Sequence, residues 1–195
     1  GLIILGVFFV AEAYMSDLLE EQKQGTLSRI ITAGVSPLKI LSGKVVGCVL
    51  YCLLSIMLMR VIGWILFGVG FGDLPGEFIT LLTTSLALTG VMCVVFGLAK
   101  NERQGSVIST IVVLTMSLMG GSMFPRRMMP VTLQKPGMLT PNYWSLEALD
   151  SLLIDNATLA DVMLPVGILS GVGIVTILLG SFLLSRKIAR RGEAA

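Results

Sequence analysis

The stretch "EEQKQGTLSRIITAGVSPLKILSGK", residues 20–44, is the longest part of the chain with the composition of ordinary soluble protein. It lies between apolar runs at residues 1–15 and 45–71. A charged insert between two lipid-facing segments reads as a loop of a polytopic membrane protein, and the side on which it lies orients every other segment.

Composition supports this reading. Of 195 residues, 54% are hydrophobic and 13% charged, and the mean hydropathy is +0.90; a soluble domain carries about 25% charged residues. The expected fold is all-α, a polytopic bundle of transmembrane helices. A net charge of +2 is too small to point to a nucleic-acid partner. The absence of histidine excludes His-based metal sites, triads and proton relays, and nothing calls for a cofactor. Cys48, Cys52 and Cys93 all sit inside apolar runs. Cys48 and Cys52 share a helical face at i, i+4, a spacing open to a soft metal and equally to small apolar packing.

The run at 1–15 makes ~22 Å of helix against the ~30 Å hydrocarbon core. It reads as a partial span of a chain that begins inside a helix, and it lacks the basic region and small-residue cleavage site of a signal peptide. Runs at 45–71, 78–99, 106–124 and 162–184 are each long enough to cross, giving five crossings with the first truncated. The connections are 16–44, 72–77, 100–105 and 125–161, with a tail at 185–195. With alternate connections on alternate sides, one side holds ten basic residues and the other three, Arg126, Arg127 and Lys135. The richer side, with 16–44, 100–105 and the tail, is cytoplasmic by the positive-inside rule. "SRKIARR" at 185–191 then anchors the last helix at an anionic inner leaflet.

Within the insert, Gly25 interrupts a polar continuation of the first span, and Thr26 is a capping residue type. A short helix follows at 27–32, with Leu27, Ile30 and Ile31 on one face. Gly34 ends it, and Ser36 and Pro37 restart a helix as N-cap and N1 that runs into the next span. Such a helix either lies on the interface or docks in a groove of a cytoplasmic partner, flanked by Glu20, Glu21, Lys23 and Arg29.

These residues resemble the loop between the second and third membrane helices of type-2 ABC exporter permeases. The family's acidic pair, basic residue, Gly-Thr-Leu-x-Arg, Ser-Pro and Gly-Lys fall on Glu20, Glu21, Lys23, Gly25, Thr26, Leu27, Arg29, Ser36, Pro37, Gly43 and Lys44. Ser28 stands where the family commonly has Glu. A second block, "MFPRRMMPVTLQKPGMLTPNYWSLEAL" at 123–149, is similar to the family's outer segment before the last helix. The resemblance implies a six-helix export permease working as a homo- or heterodimer, each half docked on an ABC ATPase subunit. The insert would be the coupling helix, with Glu20, Glu21, Gly25, Thr26, Leu27, Arg29 and Ile30 at the ATPase. The chain has no G-x-x-x-x-G-K-[ST] phosphate loop, so hydrolysis would belong to a partner chain or domain and this subunit would not itself be an enzyme. Compact loops suggest a bacterial inner membrane, with the C-terminus cytoplasmic and membrane lipid as a further partner.

Other residues are candidates for a translocation path. Glu12 lies within the first apolar run, where an ionisable side chain costs roughly 2.5–3.5 kcal/mol; it sits at the headgroups, bonds a neighbouring helix or lines a path. Arg60, ~24 Å along its helix from Lys44, either snorkels outward or meets an anionic substrate. Met116, Met119 and Met123 make a stripe at i, i+3, i+7, read as packing, a greasy translocation surface or a soft-metal track. Gly43/Gly47, Ser117/Gly121 and Gly167/Gly171 have the small-xxx-small spacing of packed helices. Thr140-Pro141 starts a helix in the outer segment, expected to be interfacial or re-entrant, a partial lid over a dimer exit. Asn156-Ala157-Thr158 is a sequon that matters only in a eukaryote. Rival classes are a passive ion or soft-metal channel or carrier and a membrane anchor of an assembly complex.

Overall fold

The computed structural model describes residues 1–23, 37–124, 135–155 and 157–192. These are helical, with no strand among the described residues: α1 (Leu2–Lys23), α2 (Pro37–Phe67), α3 (Leu74–Leu98), α4 (Glu102–Met119), α5 (Pro141–Ile154) and α6 (Met163–Gly192). Three of them are long and apolar enough to cross a membrane, over Lys39–Phe67, Leu74–Leu98 and Met163–Arg186.

Local chemistry sets the helix ends. Asp73 caps α3 by accepting from the Gly76 amide, with Pro75 in the first turn. Asn101 caps α4 through the Gln104 amide at 2.8 Å, and Thr140 caps α5 ahead of Pro141. Each capped end satisfies amides that lipid could not. Gly68 and Gly121 adopt positive φ, 65° and 86°, and turn the chain after α2 and α4, where a side chain would be strained.

Side-chain contacts fix the helix directions. Ala11 and Tyr14 on α1 meet Cys48 and Gly47 on α2; Cys48 and Arg60 on α2 meet Thr89 and Glu77 on α3; and Glu12 on α1 meets Ser106 and Ser109 on α4. These neighbours run antiparallel. α6 instead runs parallel to α3: Gly173 packs on Leu86 and Ala87, and Gly180, farther along, on Cys93 and Val94. Gly90 and Gly97 on α3 reciprocate against Thr176 and Leu183. Glycines seven residues apart on both helices let the backbones approach, the packing available where no hydrophobic effect drives helices together.

α3 is the central helix, with 72% of its spanning window buried against 17% for α6. The core around it includes Phe8, Met15, Ile56, Leu88, Met92 and Phe96. The outer faces of α2 and α6 expose Leu50, Leu54, Ile65, Leu164, Leu178 and Phe182, a pattern suited to lipid and unsuited to water.

α5, expected to be interfacial or re-entrant, packs into the end of the bundle. Asn142 and Ser145 are fully buried, and Leu152 packs on Gly72 and Gly76. The helix enters the bundle beside α3 and α4 and runs outward, because its polar residues find partners there that lipid does not offer.

Candidate functional site

The residues with candidate roles fall into three groups. The first is the end of the bundle where α1, α3 and α6 finish and α2 and α4 begin. Glu20 and Glu21 lie in the last turn of α1, with Glu20 exposed. Pro37 opens α2, which continues unbroken for 31 residues. Gly25, Thr26, Leu27, Arg29 and Ile30, with the Ser36 cap, lie outside the described residues. Lys39, Lys44, Lys100, Arg103 and Arg186 belong to this end. Lys44 sits over the Tyr14 ring at 5.8 Å, a cation–π contact joining α2 to α1.

The second group joins α1 to α4. Glu12 is half-buried, and its Oε1 accepts from Ser106 Oγ at 3.1 Å and Ser109 Oγ at 3.0 Å. Of the readings open to Glu12, the geometry realises a bond to a neighbouring helix. Met116 packs against the core, and Met119 is half-buried. Met123 does not share their helix: α4 stops at Met119, Gly120 closes it and the positive φ of Gly121 redirects the chain. Met123 is 40% exposed past that turn, so the stripe does not continue through it.

The third group is the opposite end. Arg60 neither snorkels to water nor stands alone: its Nε donates to Glu77 Oε1. Nη1 donates to the Val69 carbonyl at 3.2 Å and Nη2 to that of Gly70, while the guanidinium lies 4.7 Å from the Phe71 ring centroid. Arg60 is 8% and Glu77 3% exposed. Glu77 Oε2 and Thr80 Oγ1 are buried without a hydrogen-bond partner among the described residues. Sequence reasoning missed Glu77 because it ends a short connection. The usable signal was a charge of each sign flanking one hairpin, two turns before the end of α2 and in the first turn of α3.

Beside this hairpin, α5 is held by a polar network. Asn142 Nδ2 donates to Ser117 Oγ at 3.0 Å and Ser122 Oγ at 3.1 Å, and Thr84 Oγ1 donates to Ser145 Oγ at 2.9 Å. Asp73 Oδ2 accepts from the Leu159 amide at 3.0 Å, tying the α2–α3 turn to the segment before α6. There, Asp161 accepts from the Thr158 amide and hydroxyl, which holds its carboxyl below the usual range. On the other side of α5 a cavity of about 940 Å³ opens, lined by Leu2, Phe124, Tyr143, Leu146, Glu147 and Asp150. Its lining mixes apolar and acidic side chains.

Cys48, Cys52 and Cys93 are buried thiols, and Thr89 Oγ1 donates to Cys48 Sγ at 3.5 Å. Among the described residues no group of three His, Cys, Asp or Glu side chains is placed to hold a metal ion.

A bundle of apolar helices fits a membrane transport subunit, and comparison with known proteins agrees. A family model described as ABC-2 family transporter protein matches residues 1–182. The chain belongs to the ABC-2 transporter family. It is therefore an integral membrane protein, a permease subunit of the ABC type. It is similar to the linearmycin resistance permease protein LnrN of Bacillus subtilis (strain 168), with 23% identity over 191 residues that cover 92% of this chain and 47% of the relative. The chain thus spans about half the length of that protein. No solved structure matches it.

Proposed function

We propose that this ABC-2 permease forms half of a dimeric export path and is driven by ATP hydrolysis in an ABC ATPase subunit docked on residues 20–30. The observation that carries this reading is the match of the family model over residues 1–182. The alternating helix directions support it: they bring the end of α1 and the start of α2 to one end of the bundle, together with the basic residues of α4 and α6. Five helices then cross, with α5 re-entrant, that end is cytoplasmic by the positive-inside rule, and the membrane is a bacterial inner membrane. Glu20, Glu21, Gly25, Thr26, Leu27, Arg29 and Ile30 form the coupling contact by the helix-in-groove mode.

The cargo is an amphipathic small molecule, released past α5. The 940 Å³ cavity, lined by Leu2, Phe124, Leu146, Glu147 and Asp150, suits such a molecule. The relative is named as a linearmycin resistance permease, and export of a small molecule accords with that name. The test is export from cells or vesicles carrying the permease and its ATPase, in the wild type and in Gly25→Pro and Arg29→Glu variants. The proposal expects both variants to reach the membrane and to lose export and ATPase association. Normal export in both would overturn the coupling assignment, and nucleotide-independent flux in the wild type would overturn ATP-driven export.

A further inference from the structure

The outer hairpin of α2 and α3 has a second concavity, separate from the one beside α5. It encloses about 260 Å³ and is lined by Met57, Val61, Leu74, Phe78 and Leu81, with Arg60, Phe71 and Glu77 at its wall. That is below the roughly 300–1,000 Å³ of sites for drug-sized ligands and suits part of one hydrocarbon chain. Val61, Phe71, Leu74 and Phe78 are each more than 40% exposed on the outward face, so the opening faces lipid. Trp64 and Phe67 are exposed on the same helix end, as aromatic side chains are at headgroup level.

The polar wall has unspent hydrogen-bonding capacity of both signs. A guanidinium carries five N–H donors, and Arg60 directs three of them to Glu77, Val69 and Gly70 among the described residues. Glu77 Oε2 accepts from none of the described residues. An unsatisfied buried carboxylate oxygen is costly, and a donor that reaches it is correspondingly favoured.

We infer that this pocket holds an aminophospholipid. One acyl chain lies against Met57, Val61, Leu74, Phe78 and Leu81, the phosphate takes the remaining N–H donors of Arg60, and the primary ammonium donates to Glu77 Oε2. The Phe71 ring, stacked on Arg60 and 44% exposed, turns aside to admit the headgroup. The match is one of charge order: a lipid with a phosphate beside an ammonium faces an arginine beside a carboxylate. Choline lipids carry the same two charges without an N–H donor, which separates hydrogen bonding from simple charge attraction.

The test uses the intact permease reconstituted in vesicles of equal parts phosphatidylethanolamine, its mono- and dimethyl derivatives, and phosphatidylcholine. After mild extraction, the lipids retained are counted by native mass spectrometry. The expected result is enrichment of phosphatidylethanolamine over phosphatidylcholine by about tenfold, the ratio for one charge-assisted hydrogen bond. The loss should centre on the last methylation, which removes the final N–H. Leu81→Trp, which fills the pocket, should abolish the preference, and Glu77→Gln should reduce it. Equal retention across the series in wild-type protein would overturn the inference without recourse to any variant. A preference unchanged in Leu81→Trp would overturn the choice of pocket. No nucleotide is needed, so this result stands or falls apart from ATP-driven export.

Discussion

Arg60 on α2 and Glu77 on α3 close a buried ion pair across the hairpin, and the arginine also holds two carbonyls of the turn between them. Removing one member leaves the other charge buried and unpaired, at about 3–5 kcal/mol. Arg60→Met should therefore lower stability by that order, while Arg60→Met with Glu77→Leu together should recover most of the loss. Thermal aggregation in detergent, followed by size-exclusion chromatography, compares the three proteins. Equal losses in single and double variants would show that the pair is not a unit.

A β-carbon on Gly180 would sit 2.5 Å from the Cys93 carbonyl carbon and 2.7 Å from the Val94 amide nitrogen. These are backbone atoms of the parallel helix and cannot swing away. Gly180→Ala should force α3 and α6 apart, at about 1–3 kcal/mol for overpacking, and Gly180→Leu should prevent accumulation of folded protein. Gly171→Ala, where an added carbon meets nothing within 4 Å, should be within about 0.5 kcal/mol of wild type. The same melting assay distinguishes the two sites.

Asn142 is the link between α5 and the end of α4. Asn142→Leu strands Ser117 and Ser122 in a buried seam, at about 1–3 kcal/mol. The expected sign is local: a cysteine introduced at Ser145 should react faster with a membrane-permeant thiol reagent in the Asn142→Leu background than in wild type. Unchanged labelling would place the hold on α5 elsewhere.

Glu12 accepts from two serines with one oxygen, which an amide oxygen can also do. Glu12→Gln should therefore keep both stability and export, whereas Glu12→Leu should cost about 1 kcal/mol by leaving Ser106 without its acceptor, Ser109 falling back on the Ser106 carbonyl at 2.9 Å. Loss of export in the stable Gln variant would instead mean that the negative charge itself faces the cargo.

Much of the fold was legible because membrane helices announce themselves by length and hydropathy. The runs at 45–71, 78–99 and 162–184 overlap α2, α3 and α6, whose ends lie up to eight residues away. The Gly167/Gly171 spacing does not coincide with the close-packed seam. Gly167 and Gly171 meet nothing, while the operative glycines, Gly90, Gly97, Gly173 and Gly180, are spaced by seven on two helices distant in the chain. A four-residue motif reports on one helix, and a packed seam is a property of two. The same reason hid Glu77 as the partner of Arg60. α5 was legible at its start, where Thr140 and Pro141 cap it, but not in its packing: Asn142 and Ser145 face inward to partners on other parts of the chain, which leave no periodic trace.

The buried polar seam of α5 also constrains the order of biogenesis. A segment of 14 residues with Asn, Ser, Glu and Asp among them is too short and too polar to partition into lipid by itself. Its docking must wait for Thr84 on α3, Ser117 on α4 and Ser122 just beyond it, all of which precede α5 in the chain. The parallel glycine seam to α3 then recruits α6, which follows α5 in the chain. A variant that delays α3 or α4 should therefore leave α5 undocked, which limited proteolysis during synthesis would detect.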